Sequence, residues 1–129
     1  MDQTDNFTPG RRIADNAKWY GRDPDAAQPR DYGRTLDNGE WVWRCRTPNG
    51  LYGVLSQHQV TEHQDGTITV EPSILCEWPH SEHPVIWHGY LKAGVWETLP
   101  DTTLAVPIAD PLPGHATPAD VRIDHQLSR

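Results

Sequence analysis

Histidine and cysteine are the residues of this chain best suited to chemistry, and they concentrate in one short stretch. Cys76 is followed by His80, His83 and His88, four side chains whose sulfur and nitrogen atoms are ligands that Zn²⁺ prefers. The spacing matches no standard zinc finger, and prolines interrupt it. In the alternative interpretation, Cys76 is a small buried apolar side chain and the first two histidines are exposed loop residues. The sequence favours this second interpretation, so we expect no cofactor, with zinc as the alternative.

Other catalytic arrangements have less support. Ser56, Ser73 and Ser81 lack the Gly-x-Ser-x-Gly context that exposes a nucleophilic serine, and no glycine-rich phosphate loop is followed by a helical pattern. Several glutamates lie near the histidines, but no spacing selects one of them as an acid–base partner. We therefore expect the protein not to be an enzyme.

Turn signals in the middle of the chain indicate that β-hairpins position these residues. Asp37-Asn38-Gly39 is a hairpin signal, and it is followed by alternating residues typical of a strand. This alternation places Trp41, Trp43 and Cys45 on one face. Because that face is aromatic and apolar, we expect it to lie in the core.

The side-chain pattern of the next hairpin predicts its register. A three-residue loop, Gln64-Asp65-Gly66, pairs Val60 with Val70 and Glu62 with Ile68, which collects apolar side chains on one side. A two-residue loop would mix apolar and polar residues on both faces. Because a slip of one residue moves every side chain to the other face, the sequence favours the three-residue loop.

The same loop length in the third hairpin predicts an aromatic surface. With Lys92-Ala93-Gly94 as the loop, Leu91 faces Val95, and the opposite side of the hairpin is neither plainly core nor plainly solvent-exposed. Exposed aromatic residues anchor many protein interfaces. In the alternative, this side is the second layer of a two-sheet core. The predicted binding surface, which includes an aromatic pair near the N-terminus, comprises Trp87, His88, Tyr90, Trp96, Trp19 and Tyr20.

At 129 residues the chain is one domain by length, and its composition divides it into three segments. Residues 1–33 are polar and broken by proline and glycine, which predicts an extended N-terminal arm. Residues 34–99 hold the hairpins and predict a β core domain. Residues 100–129 carry five prolines and predict an extended C-terminal arm, whose end fits a short helix capped by Thr117 and begun by Pro118. Short strands with frequent turns indicate an all-β fold, a small hairpin-built sandwich or barrel.

Charge and hydropathy argue against two classes of partner. The net charge is −7, and residues 36–99 hold three basic side chains against eight acidic ones. Such a core repels a phosphate backbone, so we expect no nucleic-acid ligand. No apolar run reaches the roughly 18–20 residues of a membrane span, and Met1 is followed by polar residues rather than a signal peptide. We expect a soluble protein with no membrane contact.

One stretch of the core carries a resemblance. Residues 63–75 read His-Gln-Asp-Gly-Thr-Ile-Thr-Val-Glu-Pro-Ser-Ile-Leu, and Trp87-His88-Gly89-Tyr90-Leu91 and Gly94-Val95-Trp96 follow them. In this order, and over about residues 40–99, the chain resembles a family of small proteins of unknown function encoded by phages, particularly phages of actinobacteria. Related phage sequences often carry a C-x-x-C-Gly knuckle near the start. Only Cys45 matches it here, so the resemblance implies no zinc knuckle in this chain.

The resemblance implies a phage origin and brings no known activity. We expect a non-enzymatic structural or interaction protein, a minor virion component such as a capsid decoration or stabilising protein, whose arms contact neighbouring subunits. The alternative is an intracellular accessory protein that binds a host or defence factor through the aromatic surface. The expected partners of this chain are phage capsid or other virion proteins, a host protein, or further copies of the chain in a homo-oligomer. The expected location is the virion or the host cytoplasm.

Overall fold

The computed structural model describes residues 6–19, 25–78, 85–102, 112–113 and 115–118. These residues form strands joined by turns and short connections. The strands are β1 (Phe7–Pro9), β2 (Arg11–Arg12), β3 (Asp31–Asp37), β4 (Glu40–Arg46), β5 (Leu51–Val54), β6 (Gln59–Glu62), β7 (Ile68–Trp78), β8 (Val85–Lys92), β9 (Val95–Thr98), β10 (Leu112–Pro113) and β11 (His115–Pro118).

The strands form two sheets. Sheet A has the order β1–β9–β8–β7–β11, with β6 also paired to β7, and its neighbouring strands run antiparallel. Sheet B has the order β10–β5–β4–β3–β2, and its two outer strands run parallel to their neighbours. The sheets face each other and do not close into a barrel. The prediction of an all-β fold is confirmed, in its sandwich form.

The core lies between the two sheets and takes alternate side chains from each. Trp87 and Trp96 of sheet A are fully buried, and their rings meet edge to face with centroids 5.1 Å apart. Burying side chains of this size stabilises the fold by roughly 1.5–3 kcal/mol each. The buried side chains of this cluster are those of Tyr32, Cys45, Leu51, Leu55, Ile68, Val70, Ile74, Cys76, Trp87, Leu91 and Trp96.

One predicted hairpin has the expected register, and another forms at its predicted turn. In the β6–β7 hairpin, Val60 pairs with Val70 and Glu62 with Ile68, and Gly66 closes the loop with a φ of +88°. In the β3–β4 hairpin, Asn38 and Gly39 both have positive φ, as a two-residue type I′ turn requires. Both hairpins follow from local turn chemistry, which a sequence displays directly.

The predicted register of the β8–β9 hairpin is wrong by one residue. Lys92 pairs with Val95 and Leu91 with Trp96, so the loop has two residues rather than three. Ala93 adopts a φ of +48°, in the left-handed region that residues with a Cβ rarely adopt. The type I′ turn matches the twist of the strands, and the resulting register moves Trp96 into the core.

Both predicted arms contribute short strands to the two sheets of their own chain. Near the N-terminus, β1 joins sheet A and β2 joins sheet B, with Gly10 between them. The Gly10 amide donates to the Gly94 carbonyl at 2.8 Å. A Cβ at position 10 would come within 2.8–2.9 Å of the Gly94 carbonyl oxygen and Trp96 Nε1. Only glycine therefore fits at the position where the chain crosses between the sheets. Near the C-terminus, β10 pairs with sheet B and β11 with sheet A.

The segment boundaries differ from the predicted ones. Strand β3 begins at Asp31, inside the predicted arm of residues 1–33. Thr117 and Pro118, predicted to start a short helix, lie in β11, where they pair with Leu75 and Ile74. These two residues form part of a strand rather than the start of a helix, because the edge of β7 offers their backbone hydrogen-bond partners. The rest of the predicted helix lies outside the described residues.

Membrane-spanning helices are absent from the part of the chain that the structure describes, since none of its segments is a helix long and apolar enough to cross a bilayer.

Candidate functional site

The predicted aromatic binding surface is mostly interior. Trp87 and Trp96 are fully buried between the sheets, so neither is available to a partner. Their indole groups donate hydrogen bonds within the protein, from Trp87 Nε1 to Thr98 Oγ1 at 3.1 Å and from Trp96 Nε1 to the Arg30 carbonyl at 3.0 Å. The prediction failed for both residues because large aromatic side chains pack in the core when the register permits it.

Three other members of that predicted surface have different positions. His88 lies on the outer face of sheet A, but residues 99–102 cover it, and its Nδ1 is 3.0 Å from the Asp101 carboxylate. Tyr90 is half-buried on the same face, with Lys92 Nζ 4.5 Å from its ring centroid. Trp19 is buried against Tyr52 on the outer side of sheet B, so it pins the N-terminal segment to its own chain. Tyr20 lies outside the described residues.

The predicted zinc ligands cannot act together. Cys76 points into the core, where its thiol lies 3.8 Å from the Tyr52 carbonyl. Cys76 pairs with Trp87, so the next residue along β8, His88, points to the opposite face of the sheet. One ion cannot bind both side chains. Within the described ranges no group of three or more His, Cys, Asp or Glu side chains is arranged for a metal ion. His80 and His83 lie outside these ranges.

A cleft lies where the chain crosses between the sheets, and we call it the arginine cleft. It has a volume of about 490 Å³ and runs between residues 9–11 and residues 28–31. A smaller cleft of about 300 Å³ lies on the other side of Arg11 and shares Asp31 with it. Arg11 and Arg30 are the basic residues that line the larger cleft.

A buried carboxylate holds Arg11 in place. Asp31 is 3% exposed, whereas Arg11 is 66% exposed. Arg11 donates from Nε and Nη2 to the two Asp31 oxygens at 2.9 and 2.8 Å, and the Gln28 amide donates to the same carboxylate at 2.7 Å. This paired geometry orients the guanidinium and leaves its remaining N–H groups toward the cleft and solvent. The hydrogen bond and charge of Asp31 raise the pKa of Arg11.

Arg30 occupies a strained backbone position beside this pair. Its φ is +83°, in the left-handed region that non-glycine residues rarely adopt. Three hydrogen bonds hold it there. The Arg30 amide donates to the Arg46 carbonyl at 2.8 Å, and the Arg30 carbonyl accepts from the Arg11 amide at 3.1 Å and from the Trp96 indole at 3.0 Å. Such strain is concentrated at functional sites in proteins, which makes Arg30 a candidate ligand-binding residue.

The cleft carries a net positive charge on an acidic protein. Arg46 is buried behind it and donates to the Ala27 carbonyl at 2.7 Å. Burial lowers the pKa of Arg46, and the Asp31 charge opposes that effect. Arg11 binds the Asp31 carboxylate directly, Arg46 lies within range of its charge, and Arg30 lines the same cleft. Guanidinium groups bind carboxylates and phosphates through paired hydrogen bonds, so the site has the chemistry of an anion-binding cleft.

A second surface combines tryptophan with arginine at the open end of sheet B. The Arg34 guanidinium lies 4.2 Å from the Trp41 ring centroid, and that of Arg12 lies 4.9 Å from the Trp43 centroid. Glu62 accepts a hydrogen bond from Arg12 at 2.8 Å. Trp41 is 43% exposed, so the prediction that this face is core was wrong at its outer end. Cys45, at the inner end of this face, is fully buried, and Trp43 is partly buried against the core.

Sequence patterns did not reveal the arginine cleft. Arg11, Arg30 and Asp31 lie in a segment whose basic and acidic residues balance, and no motif marks them. A left-handed backbone at an arginine has no sequence signature. The signal that was present is the pair Pro29-Arg30, a turn-forming context between two polar segments.

Comparison with models of protein families, with curated proteins and with solved structures finds no match to this chain. The geometry of the cleft is therefore the basis for a functional assignment.

Proposed function

We propose that this protein is a non-enzymatic interaction protein of a phage particle, a minor virion component that stabilises or decorates the capsid. It holds an acidic segment of a partner protein in the arginine cleft. The observation that carries the proposal is the pair of guanidinium groups, Arg11 fixed by a buried carboxylate and Arg30 held in a strained position.

The chemistry of the cleft favours a protein carboxylate as the ligand. Two guanidinium groups match one or two carboxylates, which suits a short acidic segment. Nucleic acid is a poorer ligand because the protein carries a net charge of −7, and a phosphate backbone is repelled by most of its surface. The rims of the cleft include Pro9 and Pro29, which offer apolar contact to the side chains that flank a bound carboxylate.

The framework around the cleft supports a role in binding. Strand β1 and strand β2 bind the crossing segment to both sheets, and the amide of Ile13 donates to the Tyr32 carbonyl at 2.9 Å. The cleft is therefore pre-formed, and binding costs little ordering of the protein. We also propose that the parts of the N- and C-terminal arms outside β1, β2, β10 and β11 contact neighbouring subunits.

A peptide titration tests the cleft. We expect hexaglutamate to bind the protein at low salt and hexaglutamine not to bind, as measured by isothermal titration calorimetry. Arg30→Ala should weaken hexaglutamate binding by about tenfold or more, because it removes hydrogen bonds to a charged group. Lys92→Ala is the matched control, since it removes one positive charge from outside the cleft. An equal loss in both variants, or no loss in Arg30→Ala, would refute a specific cleft.

A second experiment tests the virion role. Mass spectrometry of purified phage particles should detect the protein at a fixed ratio to the major capsid protein. Particles carrying the Arg30→Ala variant should contain less of it. Absence of the wild-type protein from purified particles, with the protein present in host lysate, would contradict the virion role and favour an intracellular partner.

A further inference from the structure

An apolar patch with an adjoining carboxylate lies beside the arginine cleft. Phe7 and Val95 are 54% and 38% exposed, unusually high for side chains of this type in a folded core domain. Phe7 pairs with Glu97 and Pro9 pairs with Val95, so all four side chains point to the same outer face of sheet A. We call these four residues the β1 patch.

The patch and the cleft are neighbours on one side of the molecule. Pro9 belongs to both, because it lies in the β1 patch and also lines the cleft. The indole of Trp96, which points into the core from β9, donates to the Arg30 carbonyl and so ties the cleft residue to the strand that carries Val95 and Glu97. The shared Pro9 therefore places the apolar patch next to the basic cleft.

The charges of the two sheets are opposite. The described strands of sheet B carry five arginines against three carboxylates, whereas those of sheet A carry one lysine against four glutamates. Glu97 has a distant ion pair with Lys92, with 3.9 Å between Nζ and Oε1. Because that contact is long, Glu97 retains capacity to accept hydrogen bonds from a stronger partner.

We propose that a second copy of this chain occupies the cleft, in a two-fold dimer that joins the β1 patch of each copy to the arginine cleft of the other. The proposal rests on the proposed function, because it names the partner that supplies the carboxylate. Glu97 of one copy binds Arg30 of its partner, and the same contact repeats across the two-fold axis. Phe7 and Val95 lose solvent exposure against the proline rims of the opposite cleft.

Charge complementarity selects this arrangement among the ways in which two copies meet. Two chains of charge −7 repel each other across most of their surfaces. The cleft is a positive surface that an acidic neighbour can approach, and the adjoining patch gives each copy both halves of the contact. Edge-to-edge pairing of β1 strands is disfavoured, because Pro9 has no N–H to donate to a neighbouring strand.

Sedimentation equilibrium on the full chain tests the dimer. We expect a monomer–dimer equilibrium at low salt that shifts to monomer at high salt, since screening weakens charge contacts. Arg30→Glu and Glu97→Arg should each raise the dissociation constant of the dimer by about a hundredfold. Each substitution affects two symmetry-related contacts, and we expect a loss of about tenfold at each contact. Circular dichroism of each variant verifies that it is folded.

A mixture of the two variants gives the deciding result. In the mixed dimer each introduced charge meets an opposite charge, so an equimolar mixture should form heterodimers although neither variant dimerises alone. Glu40→Arg makes the same charge change on an exposed residue outside the patch and should leave the wild-type dimer intact. A monomer at every concentration, or a mixture that stays monomeric, overturns the proposal.

Hexaglutamate separates this inference from the proposed function. If the cleft accepts carboxylates but the partner is another protein, the peptide binds a chain that is monomeric throughout. If the cleft accepts no carboxylate, neither the peptide nor a second copy binds. When the dimer forms as proposed, hexaglutamate dissociates it by competing for Arg30.

Discussion

The strained backbone of Arg30 connects the stability of the fold with the chemistry of the cleft. Arg30 keeps a φ of +83° where glycine would carry no strain. Arg30→Gly relieves that strain and removes the guanidinium group at the same time. Arg30→Ala removes the guanidinium but keeps a Cβ and therefore keeps the strain. The pair of variants separates the two effects at a single position.

The expected gain in stability follows from two opposing free energies. A left-handed conformation costs a residue with a Cβ about 1–2 kcal/mol. Glycine loses more backbone freedom on folding, which offsets roughly 0.5–1 kcal/mol of that gain. Arg30→Gly should therefore increase the free energy of unfolding by about 1 kcal/mol. For a domain of this size, this corresponds to a rise in Tm of about 4 °C.

Thermal unfolding monitored by circular dichroism and calorimetric titration with hexaglutamate measure the two consequences. We expect Arg30→Gly to be more stable than the wild type and Arg30→Ala to be about as stable as the wild type. Both variants should lose hexaglutamate affinity to the same extent. A more stable protein with weaker binding is the signature of a residue kept strained for its function.

Two results would refute this reasoning. If Arg30→Gly is no more stable than Arg30→Ala, the left-handed position is not strained and gives no reason to assign Arg30 to a site. If Arg30→Gly binds hexaglutamate as the wild type does, its guanidinium is not part of the anion site.

Three further expectations test the fold. Ala93→Gly should raise the free energy of unfolding by about 1 kcal/mol, since Ala93 has a φ of +48°, and Gly94→Ala should lower it because a Cβ there meets the Tyr32 hydroxyl at 2.8 Å. Neither Cys45 nor Cys76 should react with a thiol reagent until urea unfolds the protein, because burial raises the pKa of Cys45 to about 12 and that of Cys76 well above its usual range. The urea midpoint should also fall as pH rises from about 9 toward 12, because the thiols ionise in the unfolded chain at a lower pH than in the folded protein. The hydrogen bond from Arg34 lowers the pKa of Asp15, so this pair should stabilise the fold fully at pH values above 3.8, the ordinary pKa of an aspartate. The stabilisation should be lost as pH falls through the lowered pKa of Asp15. Asp15→Asn should remove this pH dependence, as measured by urea unfolding at pH 7, 4 and 3.

Local patterns predicted the hairpins whose turn chemistry follows the usual residue preferences. Asn38-Gly39 and Gly66 have the backbone conformations that such residues favour, and the apolar pairing of Val60 with Val70 supports one register. The register of the β8–β9 hairpin was predicted wrongly because Ala93 takes a conformation that alanine normally avoids. That one-residue error moved Trp96 from the core to the predicted surface, since neighbouring strand residues point to opposite faces.

The candidate site required the tertiary structure. Arg11 and Arg30 are separated in the sequence by a segment that packs its Trp19 against sheet B, and they meet because Gly10 lets the chain cross between the sheets. Asp31 looks like one of many charged residues in the sequence, yet its burial turns it into the group that orients Arg11. Burial and ion pairing depend on the whole fold and leave no local pattern.

The sequence by itself determined that this chain is an all-β protein built from hairpins around tryptophan, because turn residues and alternating apolar residues act over a few positions. Only the tertiary structure decided which aromatic residues are interior and which basic residues form a site. It placed Cys76 and His88 on opposite faces of sheet A, and it brought Arg11, Arg30 and Asp31 to one cleft. The physical reason is that strand register and the crossing of terminal segments between sheets depend on packing between residues distant in sequence.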